Sequence, residues 1–197
     1  MTNSNFIKDI KIDRSCFDKF PQLESERLIY RKVNAEDLED IFKIYSDPEV
    51  AKDDWYEPIN TRDKALSIIN NYTSEFENKE EITWGVARKY DNKIIGYCNL
   101  GDFDDDSIRS EIGYGFKRSE WNKGYATETI KTLVKFGFEI MCLNRIEAIV
   151  TLGNDASIKA LKKVNFVQEG ISRERTFMKG KFVDDVMLAI IKKDYKL

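Results

Sequence analysis

A junction between residues 108 and 126 constrains the fold more than any other part of the sequence. Ile108 to Lys117 alternates apolar and polar residues as a strand does, and the turn Trp121-Asn122-Lys123-Gly124-Tyr125-Ala126 follows it. A helix then begins, because apolar residues recur at helical spacing: Ala126, Ile130, Leu133, Val134, Gly137 and Met141. A strand that leads through a tight turn into an amphipathic helix predicts a sheet with helices packed on it.

The remaining pattern predicts a mixed α/β protein. We expect about seven strands, over residues 28–31, 82–90, 93–100, 108–117, 145–151, 166–178 and 182–191. Besides the helix at the junction, helices are predicted after Asn34, from near Thr61 and after Asn154. This order of elements indicates a mostly antiparallel sheet with helices on both faces. It limits the fold class and leaves function open.

Length and composition favour a single folded domain. The chain has 197 residues, of which 42% are hydrophobic and 34% charged, the balance of a globular protein that folds in water. We expect an N-terminal extension over residues 1–22 and a domain over residues 23–197. Residues 1–20 lack a long hydrophobic run and no window suits a spanning helix, so neither a signal peptide nor membrane insertion is expected.

The absence of histidine excludes several classes of chemistry. Ser-His-Asp and Cys-His hydrolases, H-E-x-x-H metalloproteases and imidazole-bound metals all need a residue that this chain lacks. The three cysteines, Cys16, Cys98 and Cys142, are too few and too far apart for a metal knuckle or a disulfide framework. We interpret them as reduced thiols in the cytoplasm, with Cys98 and Cys142 in the core, and expect no metal.

The charge balance bears on possible partners. The net charge is -3 and the pI is near 5.3, so the chain lacks the cationic field that non-specific nucleic-acid binding requires. We therefore expect no nucleic-acid partner. A mildly acidic protein is better suited to a cationic or amine substrate.

The turn at Gly124 suits a diphosphate. The first N–H groups of a helix have no internal partner and carry partial positive charge, and a glycine removes the Cβ that would hold a phosphate away. Lys123 adds a mobile positive charge, and Ala126 keeps the first turn slim. A tight turn packed on the sheet, without a ligand, is an equally weighted interpretation. The sequence fits neither a Walker loop nor, at Gly113-Tyr114-Gly115, the dinucleotide fingerprint.

Four segments share a pattern with one known family. They are residues 23–31 (LESERLIYR), Glu111 to Phe116 continuing into residues 121–128, Asn154-Asp155-Ala156-Ser157, and Asn165-Phe166 with Glu169-Gly170. In this order and spacing they resemble the GNAT acetyltransferases, and specifically the RimJ/RimL-type branch, which acetylates protein N-terminal amines. The resemblance covers residues 23 to about 190 and implies the GNAT fold, a splayed and mostly antiparallel sheet.

The resemblance also implies where acetyl-CoA binds. The cofactor would lie across a splay between the strands that end near Phe116 and Thr151, with main-chain groups at Phe116 on the pantetheine arm. The cofactor-binding residues that it implies are Phe116, Lys117, Trp121, Asn122, Lys123, Gly124, Tyr125, Ala126, Asn154 and Ser157. The general pattern of the family has Gln or Arg where Trp121 stands. Without that side chain, the phosphates would be bound by backbone groups and by Lys123. The family has Gly where Asn165 stands, so Asn165 is expected to adopt the backbone angle that the glycine serves.

Direct transfer from a thioester needs a neutral amine and a proton donor for the leaving thiolate. At pH 7 roughly a tenth of an α-amine is neutral, against about one lysine in 2,500, so an N-terminal amine demands less of its base. Glu111 is the first candidate for a base acting through water, and Ser157 for the proton donor. A solvent-facing Glu111 and a capping Ser157 are equally weighted alternatives. Some members of the branch are thought to carry a catalytic carboxylate on the strand after Glu169-Gly170. This chain has Thr176 at that position, with Glu174 two residues earlier.

The acceptor is expected to enter between the first two helices and the terminal hairpin. Asp53, Asp54, Trp55, Tyr56 and Glu57 could receive a cation, and Trp84 and Tyr114 could line a slot. Three functions remain open: acetylation of a protein N-terminus, acetylation of a small amine such as a polyamine or an antibiotic, and acyl-CoA binding without catalysis. The expected assembly is a monomer or a homodimer.

Overall fold

The computed structural model describes residues 11–196, and its centre is a single eight-stranded sheet in the order β1-β2-β3-β4-β5-β6-β8-β7. The strands are β1 (Leu23–Glu24), β2 (Leu28–Arg31), β3 (Ile82–Arg88), β4 (Ile94–Asp104), β5 (Arg109–Phe116), β6 (Arg145–Thr151), β7 (Val167–Met178) and β8 (Lys181–Ile191). Every neighbouring pair is antiparallel except β5 with β6. The mixed α/β sheet is thus confirmed, with one strand more than predicted.

Within residues 11–196, five α-helices connect the strands. They are α1 (Leu38–Tyr45), α2 (Pro48–Ala51), α3 (Arg62–Glu77), α4 (Tyr125–Glu139) and α5 (Asp155–Lys162). Asp47 and Thr61 cap α2 and α3, because each side chain accepts a hydrogen bond from a backbone N–H of the first turn. Asn34 caps a 3-10 helix (Ala35–Asp37) that leads into α1. Pro48 opens the short helix α2, since proline suits the first helical position.

The parallel pair β5–β6 is joined over a short distance only. Paired residues run from Arg109 with Arg145 to Glu111 with Glu147, and beyond that point β5 continues to pair with β4 alone. The two strands therefore separate toward Phe116 and Thr151. This is the splay that the resemblance implied.

Hydrophobic cores lie on both faces of the sheet. One contains Trp84, Ile130, Leu133 and other apolar residues of α4 and the strands, and the second joins α1 and α3 through Ile41, Ile44, Ile69 and their neighbours. Ile12 and Phe17, from the predicted N-terminal extension, are 4% and 6% exposed and belong to the first core. The boundary at residue 23 remains a prediction, and residues 1–10 lie outside the described part.

The structure tests three local predictions, on Asn165, on the cysteines and on the end of β4. Asn165 has a φ of 66°, the left-handed angle predicted where the family has glycine. Cys98 is buried as expected, whereas Cys142 is exposed, because it follows the end of α4 in a left-handed turn with φ 58°. Strand β4 continues to Asp104, beyond the end predicted at residue 100.

Candidate active site

The turn of residues 121–126, called here the Gly124 turn, has the backbone geometry of an anion cradle. Gly124 has a φ of 81° and Asn122 a φ of 61°, so both adopt left-handed angles just before α4 begins. Within residues 11–196 the amides of Asn122, Lys123 and Gly124 have no hydrogen-bond partner. Consecutive free amides ahead of a helix form the arrangement that binds phosphate.

The gap between β5 and β6 begins where their pairing stops. The N–H of Lys117 donates to the Ile95 carbonyl on β4, and main-chain groups alternate in direction along a strand. The main-chain groups of Phe116 therefore face the gap. The Phe116 carbonyl accepts a hydrogen bond from the Trp121 indole N–H at 2.9 Å. Trp121 thus fixes the exit from β5, and its indole is bound to one of the two groups expected to meet the pantetheine arm.

The two lysines of this region differ in position. Lys117 Nζ donates to Asp40 of α1 and to the Ile94 carbonyl, each at 2.6 Å. Its ammonium is thus drawn toward α1, away from the Gly124 turn, and a contact of Lys117 with the cofactor stays a prediction. Lys123 is half-exposed and pairs with Glu120 at 3.0 Å, so its ammonium stays beside the Gly124 turn.

The glycines of the Gly113-Tyr114-Gly115 motif make room for side chains of β4. A Cβ on Gly113 would lie 2.3 Å from Asn99 Oδ1, and one on Gly115 would lie 2.6 Å from the Tyr97 ring. Asn99 and Tyr97 therefore lean across β5 toward the gap. The two glycines of Gly113-Tyr114-Gly115 therefore serve to pack β4 side chains, and they do not form a dinucleotide-binding fingerprint.

A cavity of about 730 Å³ opens onto the gap. Residues 112–114 of β5 and 148–151 of β6 line it, together with the segment before α3, helix α3 and the end of β7. In the described chain its wall carries one arginine, Arg175, and the carboxylates Asp53, Asp54, Glu75, Glu81, Asp102, Glu111 and Asp185. Such an excess of negative charge favours a cationic occupant.

Glu111 lies in this wall at the point where β5 and β6 part. Burial, with the nearby Asp102 carboxylate, raises the pKa of Glu111 to about 7, while Arg175 opposes the shift. At neutral pH the carboxyl therefore exchanges its proton readily, as a general base must. Its environment favours the functional interpretation over a freely solvated strand glutamate.

Ser157 and Tyr114 form a hydroxyl pair across the gap. Their oxygens are 2.8 Å apart, joining β5 to the first turn of α5. The Ser157 amide donates to Asn154 Oδ1 at 3.1 Å, so Asn154 caps the helix and Ser157 Oγ does not. Burial raises the pKa of Tyr114 to about 12, and the hydrogen bond to Ser157 offsets part of this.

A cluster of tyrosines forms one end of the cavity. Tyr45 stacks on Tyr97 with ring centroids 5.1 Å apart, and its hydroxyl lies 2.5 Å from that of Tyr72. The Tyr97 hydroxyl donates to Asp54 at 3.3 Å, and burial raises the pKa of Asp54. The hydroxyl of Tyr56 is buried without a partner among residues 11–196. Electron-rich rings beside a carboxylate suit an ammonium group.

The predicted acceptor residues are placed differently from one another. Tyr114 lines the cavity, and Trp55 lies at its mouth with 78% of its surface exposed. Trp84 is fully buried, donates its indole N–H to the Pro21 carbonyl and packs on Phe136. It therefore belongs to the core and does not line the acceptor slot, because it faces the side of the sheet that α4 covers.

Two groups of the wall were not singled out from the sequence. Asp185 on β8 is 2% exposed and accepts a 2.6 Å hydrogen bond from Thr176. Glu81 accepts from Asn99 at 2.7 Å and from Thr83 at 2.6 Å. An acidic residue inside the apolar strand β8 was the available signal for Asp185. Glu174, considered from the sequence, is exposed and does not line the cavity, because a bulge displaces it.

With this geometry in hand, comparison with known proteins identifies the class. Residues 27–167 match the acetyltransferase (GNAT) domain family, so the chain belongs to the GNAT acetyltransferases. It is 33% identical over 173 residues to YoaA, an uncharacterized N-acetyltransferase of Bacillus subtilis, covering 88% of this chain and 98% of YoaA. The protein is therefore an acetyl-CoA-dependent N-acetyltransferase, which transfers acetyl groups to amines.

Solved structures share the fold. RimJ of Mycobacterium smegmatis, in complex with CoA-disulfide, superposes with a TM-score of 0.81 at 19% identity, over 90% of each chain. Spermidine N-acetyltransferase of Vibrio cholerae, in complex with CoA and spermine, gives a TM-score of 0.75 at 21% identity, over 86% of this chain and 98% of that one. At these identities the likeness shows the fold alone.

The free amides of the Gly124 turn and the adjoining gap fit an extended cofactor that carries a diphosphate. Over residues 11–196, no group of three or more cysteine or carboxylate side chains could hold a metal ion. In the same part of the chain, no helix has the length and apolarity needed to cross a membrane.

Proposed function

We propose that this enzyme acetylates the α-amine at the N-terminus of a protein or peptide, by direct attack within a ternary complex. The observation that carries the proposal is Glu111, whose pKa near 7 lies close to the ordinary value of an α-amine, about 8. A base of this strength can deprotonate an α-amine with little cost. A lysine side chain, near 10.4, would need about 3 kcal/mol more.

The cofactor would be held chiefly by main-chain groups. The amides of Asn122 to Ala126 would hold the diphosphate, with Lys123 close by, and the Phe116 N–H would meet the pantetheine arm within the gap. Tyr125 and Trp121 would shape the turn, and Asn154 would position the first turn of α5 near the sulfur. When bound, acetyl-CoA supplies an activated thioester carbonyl at this point.

Two proton movements accompany the transfer. Glu111, through a water molecule, takes the proton that the amine nitrogen loses as its bond to the acetyl carbon forms. Ser157 donates a proton to the sulfur as the carbon–sulfur bond breaks, and Tyr114, 2.8 Å from Ser157, returns one to the serine. The raised pKa of Tyr114 keeps its hydroxyl protonated at neutral pH. After Tyr114 gives its proton to Ser157, it regains one from solvent, to which Glu111 releases the proton taken from the amine.

Acetylation of defined amines tests the proposal. The full chain is incubated with acetyl-CoA and a lysine-free peptide with a free N-terminus, and products are read by mass. The control is the same peptide with a blocked N-terminus and one lysine. We expect acetylation of the free peptide only. Acetylation of the lysine control at an equal rate would contradict the proposal.

A small polycationic amine is the second candidate, and the acidic cavity wall favours it. Asp54 and the tyrosines beside it would hold a second ammonium group while Glu111 deprotonates the first. If spermidine is turned over and the free peptide is not, this candidate replaces the first. Asp54→Asn should then raise KM for spermidine about tenfold, because a charge-assisted contact is lost. If CoA binds and none of these amines is acetylated, both candidates fail.

A further inference from the structure

Arg27, in the turn between β1 and β2, is fastened to the start of α4. Its backbone N–H donates to Glu128 Oε1 at 2.8 Å, its Nε donates to Oε2 at 2.7 Å, and Nη2 lies 2.7 Å from the same oxygen. Nη1 donates to the Lys123 carbonyl at 3.0 Å. The guanidinium lies over the Tyr125 ring, 4.5 Å from its centroid. These contacts hold the side chain against the Gly124 turn.

The guanidinium borders the space that Gly124 leaves open. A Cβ on Gly124 would lie 3.5 Å from Arg27 Nη2, and in the described part of the chain no other atom outside the adjacent residues comes within 4 Å. A guanidinium has five N–H donors, and the contacts above use three of them. The other two, one on each terminal nitrogen, have no partner among residues 11–196 and are available to an anion at the turn.

The charges around the Gly124 turn show why a phosphate there would need the Arg27 guanidinium. Glu128 lies in the first turn of α4 and is 13% exposed, so it places a negative charge where a phosphate would bind. Lys123 is paired with Glu120, and Lys117 with Asp40. Although burial opposes the shift, hydrogen bonds from Ser25 and Arg27 keep the pKa of Glu128 below its ordinary value. The Glu128 charge therefore persists at neutral pH.

We propose that Arg27 is a phosphate ligand of coenzyme A, held in place by Glu128 and Tyr125 so that its two free N–H groups meet a phosphate oxygen at the Gly124 turn. The inference rests on the cofactor position given under the proposed function. It adds a charged side chain, supplied by the first hairpin of the chain, to a site otherwise built from main-chain amides and the nearby Lys123.

Calorimetry of coenzyme A binding, without acceptor or turnover, tests the assignment. Arg27→Gln should weaken binding about 10- to 100-fold, the range for a lost hydrogen bond to a charged group. Arg27→Lys should recover part of the loss, because a lysine keeps the charge but lacks the bidentate geometry. Dephospho-CoA identifies the source of the phosphate: if it binds wild type and Arg27→Gln equally, Arg27 contacts the 3′-phosphate, and otherwise the diphosphate.

Arg62 provides a matched control. It too pairs with a glutamate, Glu39, and lies over an aromatic ring, Phe42, at 5.0 Å, but on α3. Arg62→Gln should leave coenzyme A binding unchanged. If Arg27→Gln binds coenzyme A as wild type does, the proposal is overturned, whatever its melting temperature.

A double variant separates contact from shielding. If Arg27 acts only by neutralising Glu128, then Arg27→Gln with Glu128→Gln should restore wild-type affinity, and that result would also overturn the proposal. Continued weak binding in the double variant supports direct contact. If wild type itself does not bind coenzyme A, the cofactor position fails before Arg27 is tested.

Discussion

The hydroxyls of Tyr114 and Ser157 lie 2.8 Å apart, although the two residues are separated by a helix and a strand in the sequence. The contact joins β5 to α5 across the gap in the sheet. Asn154 accepts the Ser157 amide and caps α5, so the serine hydroxyl is left to pair with Tyr114. The proposed proton donor is therefore a pair of hydrogen-bonded hydroxyls and not Ser157 alone.

If the two hydroxyls act as one unit, removing either should have the same effect. We expect Ser157→Ala and Tyr114→Phe each to lower kcat at least tenfold while binding of coenzyme A changes little. The double variant should be no slower than the slower single variant. Multiplied effects in the double variant, or unchanged rates in both single variants, would show that the contact is structural.

Gly124→Asp should weaken coenzyme A binding by at least 100-fold, because it places a carboxylate among the amides of the cradle and adds a Cβ at positive φ. Gly180→Asp is the matched control, since Gly180 has nearly the same φ, 80°, at the tip of the β7–β8 hairpin with open space around it. We expect both variants to lose similar stability and only the first to lose affinity. Calorimetry and thermal melts distinguish the two effects.

Glu111 should govern the pH dependence of the reaction. Since its pKa is near 7 and a base acts in the ionised form, kcat/KM should rise with pH through about 7. Glu111→Gln should lower kcat and remove this limb of the profile. If kcat/KM of the variant still rises with pH through about 7, a residue other than Glu111 is the base.

The same group should reduce stability as pH rises. The unfolded chain loses the Glu111 proton near 4.5 and the folded chain only near 7, so ionisation favours unfolding between these values. The cost reaches about 3 kcal/mol above pH 7. Glu111→Gln should therefore melt at a higher temperature than wild type at pH 8, with the difference vanishing near pH 4. A variant less stable than wild type at pH 8 would contradict the burial argument.

Gly113 should influence acceptor binding through Asn99. A methyl group on Gly113 would force Asn99 to turn and give up its hydrogen bond to Glu81. We expect Gly113→Ala to raise KM for the amine about tenfold without changing coenzyme A affinity. In an Asn99→Ala background the same change should have little further effect. Equal losses in both backgrounds would locate the effect outside this contact.

The sequence predicted most elements because their signals are local. Apolar periodicity placed α4, and the capping residue Asn154 placed the start of α5. It missed β1, since a two-residue strand has no periodicity of its own. Trp84 was misassigned to the acceptor slot because alternation along a strand does not tell which face a helix will cover.

The sequence by itself determined that catalysis proceeds without histidine and that the chain forms a mixed sheet, and it predicted a phosphate site at the turn around Gly124. Only the tertiary structure decided that β5 and β6 separate after Glu111, that Tyr114 meets Ser157, and that Arg27 reaches the Gly124 turn. The first group follows from residue types and spacings within one turn or strand. The second group depends on which strands pair and on the burial of residues that are distant in the chain. No single segment of the sequence encodes either of these.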